Sequence, residues 1–153
     1  MKALVHISAV LTLAFGAWVA WGRFGYLVRS DPSANLQAES LAGPGLRAVS
    51  LARMTDFAWD QVVFFGPYTS RDAVHKALGF EWRAYEDAWF PQTDLYNLVV
   101  FVEGKRVTRW WKLRRCAPDI DKALVGVAVT RREASFALQN NGTCSFLRGP
   151  AAT

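Results

Sequence analysis

Between Lys105 and Arg115 the chain places six cations and two tryptophans with no acid among them: Lys105-Arg106-Val107-Thr108-Arg109-Trp110-Trp111-Lys112-Leu113-Arg114-Arg115. Guanidinium and ammonium groups around an indole offer donors and positive charge to phosphate or carboxylate oxygens, and the ring adds a cation–π contact. Partners of that chemistry are the phosphate groups of lipid or glycan, a nucleic acid, or an acidic protein. Side chains of a strand alternate between its two faces. Arg106, Thr108, Trp110, Lys112 and Arg114 therefore fall together, opposite a core-facing side of Val107, Arg109, Trp111 and Leu113. The expected binding stripe is Arg106, Trp110, Lys112 and Arg114. The same cations also have a purely structural use, because charges on an exposed strand keep it from pairing with other molecules.

A second segment, Phe80-Glu81-Trp82-Arg83-Ala84-Tyr85-Glu86-Asp87-Ala88-Trp89-Phe90, interleaves three acids with five aromatic rings. Aromatic platforms beside carboxylates bind sugars, and a carboxylate pair at the right separation hydrolyses them. An irregular aromatic loop folded over a sheet explains the same residues without chemistry, and it is the expected role. Asp60, beside Trp59 at a strand start, is expected as a buried ion-pair partner for an arginine such as Arg109. His75 is the one histidine after the amino-terminal segment, so a zinc site of two cysteines and two histidines cannot be assembled and a Cys–His pair is not expected. No catalytic residue, metal or cofactor is assigned.

The two cysteines, Cys116 and Cys144, are expected to be bridged, because the amino terminus directs the chain to a compartment where disulfides persist. From Ala3 to Gly22 there is no carboxylate, lysine or arginine, with Lys2 before and Arg23 after. A helix over that stretch would be about 30 Å long, the thickness of a bilayer's hydrocarbon core. Residues 1–22 therefore read as a transmembrane anchor or a signal peptide. Trp18, Trp21 and Tyr26 at one end resemble an aromatic belt and favour the anchor, whereas Ala20-Trp21-Gly22 supplies small residues for cleavage before Arg23. The flanking charges nearly balance. A short basic start leading at once into an apolar run is the layout of a segment that exports the rest of its chain. The expected location is the inner membrane facing the periplasm, or the periplasm or exterior if the chain is cut near Gly22. No cysteine lies close enough after the run to carry lipid.

These side chains need a scaffold. With 52% hydrophobic and 14% aromatic residues and seven tryptophans, the chain after the first segment suits one packed domain rather than a disordered tail. Ser30-Asp31-Pro32 caps a helix to about Leu41, and Gly43-Pro44-Gly45 ends it. Leu46 to Met54 reads as a second short helix, which makes residues 23–55 a helical neck. Trp59 to Phe65 is a strand closed by Gly66-Pro67-Tyr68, and Thr69-Ser70-Arg71-Asp72 has capping-box spacing before a helix from Ser70 to Leu78 stopped by Gly79. Leu95 to Val102 and Arg106 to Leu113 form a hairpin around Glu103-Gly104-Lys105. Pro118 to Leu124 reads as a helical turn. Strands are expected at Val125 to Arg131, Ala134 to Gln139 and Thr143 to Leu147, the last two joined by Asn140-Asn141-Gly142. The expected fold is α+β: short helices on a mostly antiparallel sheet of about five strands, over residues 56–149, with a tail at 150–153.

Trp59-Asp60, the apolar strand, Gly66-Pro67-Tyr68-Thr69, the helix ending Leu78-Gly79-Phe80-Glu81-Trp82, and Leu98-Val99-Val100-Phe101-Val102 together resemble small exported bacterial proteins of uncharacterised function. The resemblance spans Asp56 to Leu113 and implies no activity. A looser similarity is to the lactamase-inhibitor-like outer-membrane assembly lipoproteins, which share a helix ending in Leu-Gly before antiparallel strands. This chain departs from them in lacking the lipidated cysteine.

The expected function is a bacterial envelope protein acting as a non-enzymatic binding domain, with a periplasmic inhibitor or immunity protein as the more specific form and a cell-wall or lipid hydrolase using Glu81, Glu86 or Asp87 as the rival. Expected partners are the membrane, through residues 3–22, and an acidic protein or anionic envelope component. Nucleic acid is not expected outside the cytoplasm.

Overall fold

A computed structural model describes residues 32–88 and 94–150. The apolar amino-terminal segment, the Ser30-Asp31 cap, Trp89, Phe90 and the last three residues lie outside the described residues. Among the described residues no helix is long and apolar enough to cross a membrane.

The order of elements is α1 (Pro32–Leu41), β1 (Gly45–Ser50), α2 (Leu51–Met54), β2 (Gln61–Phe65), α3 (Arg71–Leu78), α4 (Tyr85–Ala88), β3 (Tyr96–Glu103), β4 (Arg106–Arg114), β5 (Asp119–Ile120), a 3-10 turn (Lys122–Leu124), β6 (Ala128–Thr130), β7 (Ser135–Asn140) and β8 (Ser145–Pro150). The fold is α+β, as expected, but the strands divide into two sheets of four rather than one of about five. One sheet has the order β1-β7-β8-β5 and the other β4-β3-β2-β6. All pairings are antiparallel except β5 with β8.

The extra strands come from two stretches that the sequence assigns to helix. Residues 45–50 pair with β7 over their whole length, and Leu46, which helical spacing would bury, is 72% exposed. Gly43 and Gly45, both at positive φ, set the chain into extended backbone, and Val49 then points inward opposite Phe136. Only Leu51–Met54 is helical. The described part of the expected neck is therefore built into the body of the fold: Leu36, Val49 and Leu51 are all in the main core. Pro118 to Leu124 likewise splits into β5, paired with β8, and the 3-10 turn capped by Asp121.

Two cores result from the alternation of β2 and β3. Val62, Phe64, Val99 and Phe101 face the first sheet and meet Phe136, Leu138 and Leu147. Phe64 and Phe136 touch edge to face across the sheets at 5.3 Å. Val63, Phe65, Leu98 and Val100 face the other way and are covered by Val74 of α3 with Trp82 and Ala88. Both faces of the two central strands, β2 and β3, are thus buried, which explains the near-continuous apolar run of β3. The cap of α3 is Ser70, whose Oγ accepts the Ala73 N–H at 3.3 Å, and Gly79 at φ 74 closes the helix by donating to the His75 carbonyl.

Candidate functional site

The cationic segment forms β4, the edge strand beside β3, and its faces differ from simple alternation. The register slips between Phe101 and Val102, so that Phe101 pairs with Arg109 and Val102 with Val107, leaving Thr108 as an extra residue. This bulge is a local kink that reverses which side chains share a face. Val107 joins Trp110 on the α3 side of the sheet. Arg106, opposite Glu103, consequently lies on the other side from Trp110, Lys112 and Arg114. The expected four-residue stripe is cut to three.

Each cation of the segment has a distinct setting. The Arg106 Nη2 donates to Glu103 Oε2 at 2.6 Å. Arg109 stacks over the Phe57 ring at 5.0 Å, where Phe57 itself packs edge to face on Phe101 at 5.1 Å. That makes Arg109 a lid on the main core rather than the ion-pair partner of Asp60. Asp60 is exposed, and its Oδ2 accepts the Gly104 N–H at 2.7 Å, tying the β3–β4 turn to the start of β2. Lys112 lies over Trp110, its Nζ 5.6 Å from the ring centroid. Trp110 is half-buried against the second core. Arg114 is exposed and makes no ion pair among the described residues.

Arg115 belongs to a built network. Its Nη2 and Nε donate to Asp119 Oδ2 at 3.0 and 3.2 Å, and Asn97 Nδ2 and the Ile120 N–H donate to Oδ1, each at 3.0 Å. The hydrogen bond to Asp119 holds the Arg115 pKa above its usual value. Partial burial pushes the Asp119 carboxyl up, but the donors from Arg115, Asn97 and Ile120 outweigh it and leave the carboxyl below its usual value. The next residue, Cys116, is bonded to Cys144, with 4.3 Å between their Cα atoms. The expected disulfide is therefore present, joining the end of β4 to the β7–β8 turn and so one sheet to the other.

The acidic and aromatic segment divides differently. Trp82 and Ala88 are core, and exposed Glu81 approaches Arg71 at 3.8 Å. The side chains of Glu86 and Asp87 lie outside what the structure describes. Near β1 and β6, Arg131 holds the main core shut. Its guanidinium stacks 4.9 Å from the Trp59 ring centroid and donates to the Phe57 and Ala52 carbonyls at 3.0 and 3.4 Å. Trp59 Nε1 in turn donates to buried Thr55 Oγ1 at 2.8 Å. The cleft over this clamp mixes Arg53, Arg131 and Arg132 with Asp60 and Glu133, so cations and carboxylates alternate around it rather than forming a patch of one sign.

One exposed group does not stand out in the sequence. Tyr68, which reads only as part of a turn, has φ 61 and is 62% exposed, at the same end of the sheet as Arg114. The signal lies in Pro67-Tyr68, a proline at the second position of a turn and then a bulky residue where glycine or asparagine is the unstrained choice. No family model, curated protein or solved structure matches the chain.

Proposed function

We propose that this chain is a bacterial envelope protein whose folded part is a binding domain without chemistry of its own, held at or exported across the inner membrane by residues 3–22. It acts through the Trp110, Lys112 and Arg114 face of β4 on an acidic protein or another anionic envelope component, and an inhibitor or immunity role is the most specific form of that reading. The observation that carries it is the contrast within one strand. Arg106 and Arg109 are engaged by Glu103 and Phe57, whereas Arg114 is exposed without an ion pair among the described residues, beside Lys112 and half-buried Trp110. A strand needing charge only to avoid edge pairing has no need of a cation ordered over a tryptophan on the same face. The Cys116–Cys144 bridge supports an oxidising location.

The test is affinity purification of the full chain from detergent-solubilised envelope, and then titration with the purified partner. Lys112→Ala with Arg114→Ala is expected to weaken binding at least tenfold. Unchanged affinity removes the β4 face from the mechanism, and a hydrolytic activity lost on Glu86→Ala favours the enzyme instead.

A further inference from the structure

β1 is an edge of the β1-β7-β8-β5 sheet, and its register shows which of its main-chain groups are already used. In an antiparallel ladder, residues that exchange hydrogen bonds with the neighbouring strand alternate with residues that turn both groups the other way. The Leu51 N–H donates to the Ala134 carbonyl at 2.9 Å, directly after the Ser50–Ser135 pair, and this fixes the phase. Gly45, Arg47 and Val49 are therefore bonded to β7, whereas Leu46, Ala48 and Ser50 turn their N–H and C=O groups to the open side. No other element among the described residues takes those groups up. Exposed edges are guarded by cations, proline or a bulge. β4, an edge of the other sheet, has both cations and a bulge. β1 has neither. Its one charged residue, Arg47, is turned back to close the end of α1, donating from Nη1 and Nη2 to the Glu39 and Ala42 carbonyls at 3.0 and 2.9 Å. Leu46 is 72% exposed, and Ala48 is exposed beside it. Glu39 and Arg53 line one cleft with Arg47, Ala48 and Ser50. Glu39 lies at its Arg47 end and Arg53 beyond Ser50; both are exposed, and neither makes an ion pair among the described residues.

We propose that β1 pairs with β1 of a second copy of this chain, antiparallel about a two-fold axis at Ala48, so that two sheets join into one by strand addition. In that register Ala48 faces the other copy's Ala48 and Leu46 faces its Ser50, and every open N–H and C=O of these residues finds its complement. The small side chain of Ala48 lets the two strands meet at the axis. The same rotation sets the Glu39 end of each cleft beside the Arg53 end of the other, which gives an opposite-charge pair on either side of the axis. A two-fold interface uses one patch twice, so the patch must be complementary to itself. β1 meets that condition in hydrogen bonding and in charge. A strand of another protein would use the same main-chain groups, but this chain already carries both the strand and the matching charges. The β4 face takes no part, so the proposal stands apart from the binding role given to it.

The full chain in density-matched detergent is expected to sediment as a dimer. Ala48→Pro removes an N–H that faces the open edge and none that bonds to β7, the setting in which a sheet tolerates proline, and is expected to weaken dimerisation at least tenfold. Arg53→Glu, which sets two acids together across the axis, is expected to weaken it at least fivefold at low salt, and Arg53→Glu combined with Glu39→Arg to restore it. Glu39 and Arg53 are exposed, so these variants keep the fold and decide the matter even where Ala48→Pro does not fold. A monomeric wild type overturns the proposal. So does a folded Ala48→Pro or an Arg53→Glu variant that dimerises as the wild type does, or a charge reversal that the swap does not rescue.

Discussion

Replacing both Cys116 and Cys144 with serine should cost the domain about 3.6 kcal/mol. The bridge spans 28 residues, and the loop-closure relation assigns about 12 cal/mol/K to a loop of that length, or about 3.6 kcal/mol at 25 °C. The native geometry at the site does not depend on the bond alone. The Ser145 N–H still donates to the Cys116 carbonyl at 3.0 Å, and the Asn141 N–H to the Cys144 carbonyl at 3.1 Å. The loss is therefore expected to come from a freer unfolded chain, not from a collapsed native site. Small domains have about 5–15 kcal/mol in total, so the variant should fold but with much less margin. In urea, with a slope of about 2 kcal/mol/M, its midpoint should fall by about 2 M, and the slope should rise because the uncrosslinked unfolded chain exposes more surface. Reductant should lower the wild-type midpoint by the same amount and leave the variant alone. A loss under about 1 kcal/mol, or a variant still sensitive to reductant, would refute the loop-closure reasoning.

Thr55→Val leaves the Trp59 indole N–H buried without its acceptor and should cost about 1–3 kcal/mol in urea unfolding, while Thr55→Ser, which keeps the oxygen, should lose much less. The Asp119 carboxyl is held below its unfolded value in the fold, so its contribution is complete above about pH 4 and is lost as pH falls through the lower folded value. Asp119→Asn should accordingly flatten the acid limb of the stability-against-pH curve below about pH 4, and an unchanged acid limb would contradict the network. Asp119→Ala also strands the buried Asn97 amide and should cost about 1–3 kcal/mol at neutral pH, measured by urea unfolding.

The parts of the fold legible in the sequence are those where local chemistry and tertiary packing agree. Ser70 and Gly79 bracket α3, the Glu103-Gly104-Lys105 turn joins β3 to β4, and Asn140-Asn141-Gly142 precedes β8, each because the residue type itself satisfies or bends the backbone there. Leu46 to Ser50 reads as helix because its apolar residues fit both periods over so short a run. Only pairing with β7 decides between them, and that partner lies about ninety residues away. The β4 site departs from its sequence pattern at one residue. A bulge opposite Phe101 and Val102 depends on how two strands close, which alternation along β4 alone does not contain. Tyr68 is hidden in the sequence because a turn is sufficient to account for it, although its residue type is a poor choice for that turn.

The central claim is that β4 binds through Arg114 and not through Arg106, although both are arginines at its two ends. Titration of the purified partner against Arg114→Glu and Arg106→Glu, each in the full chain at fixed salt, tests it most directly. The account predicts at least a tenfold loss for Arg114→Glu and less than a twofold change for Arg106→Glu, whose guanidinium is engaged by Glu103 across the sheet from Trp110. Equal losses, or a larger one for Arg106→Glu, would contradict it.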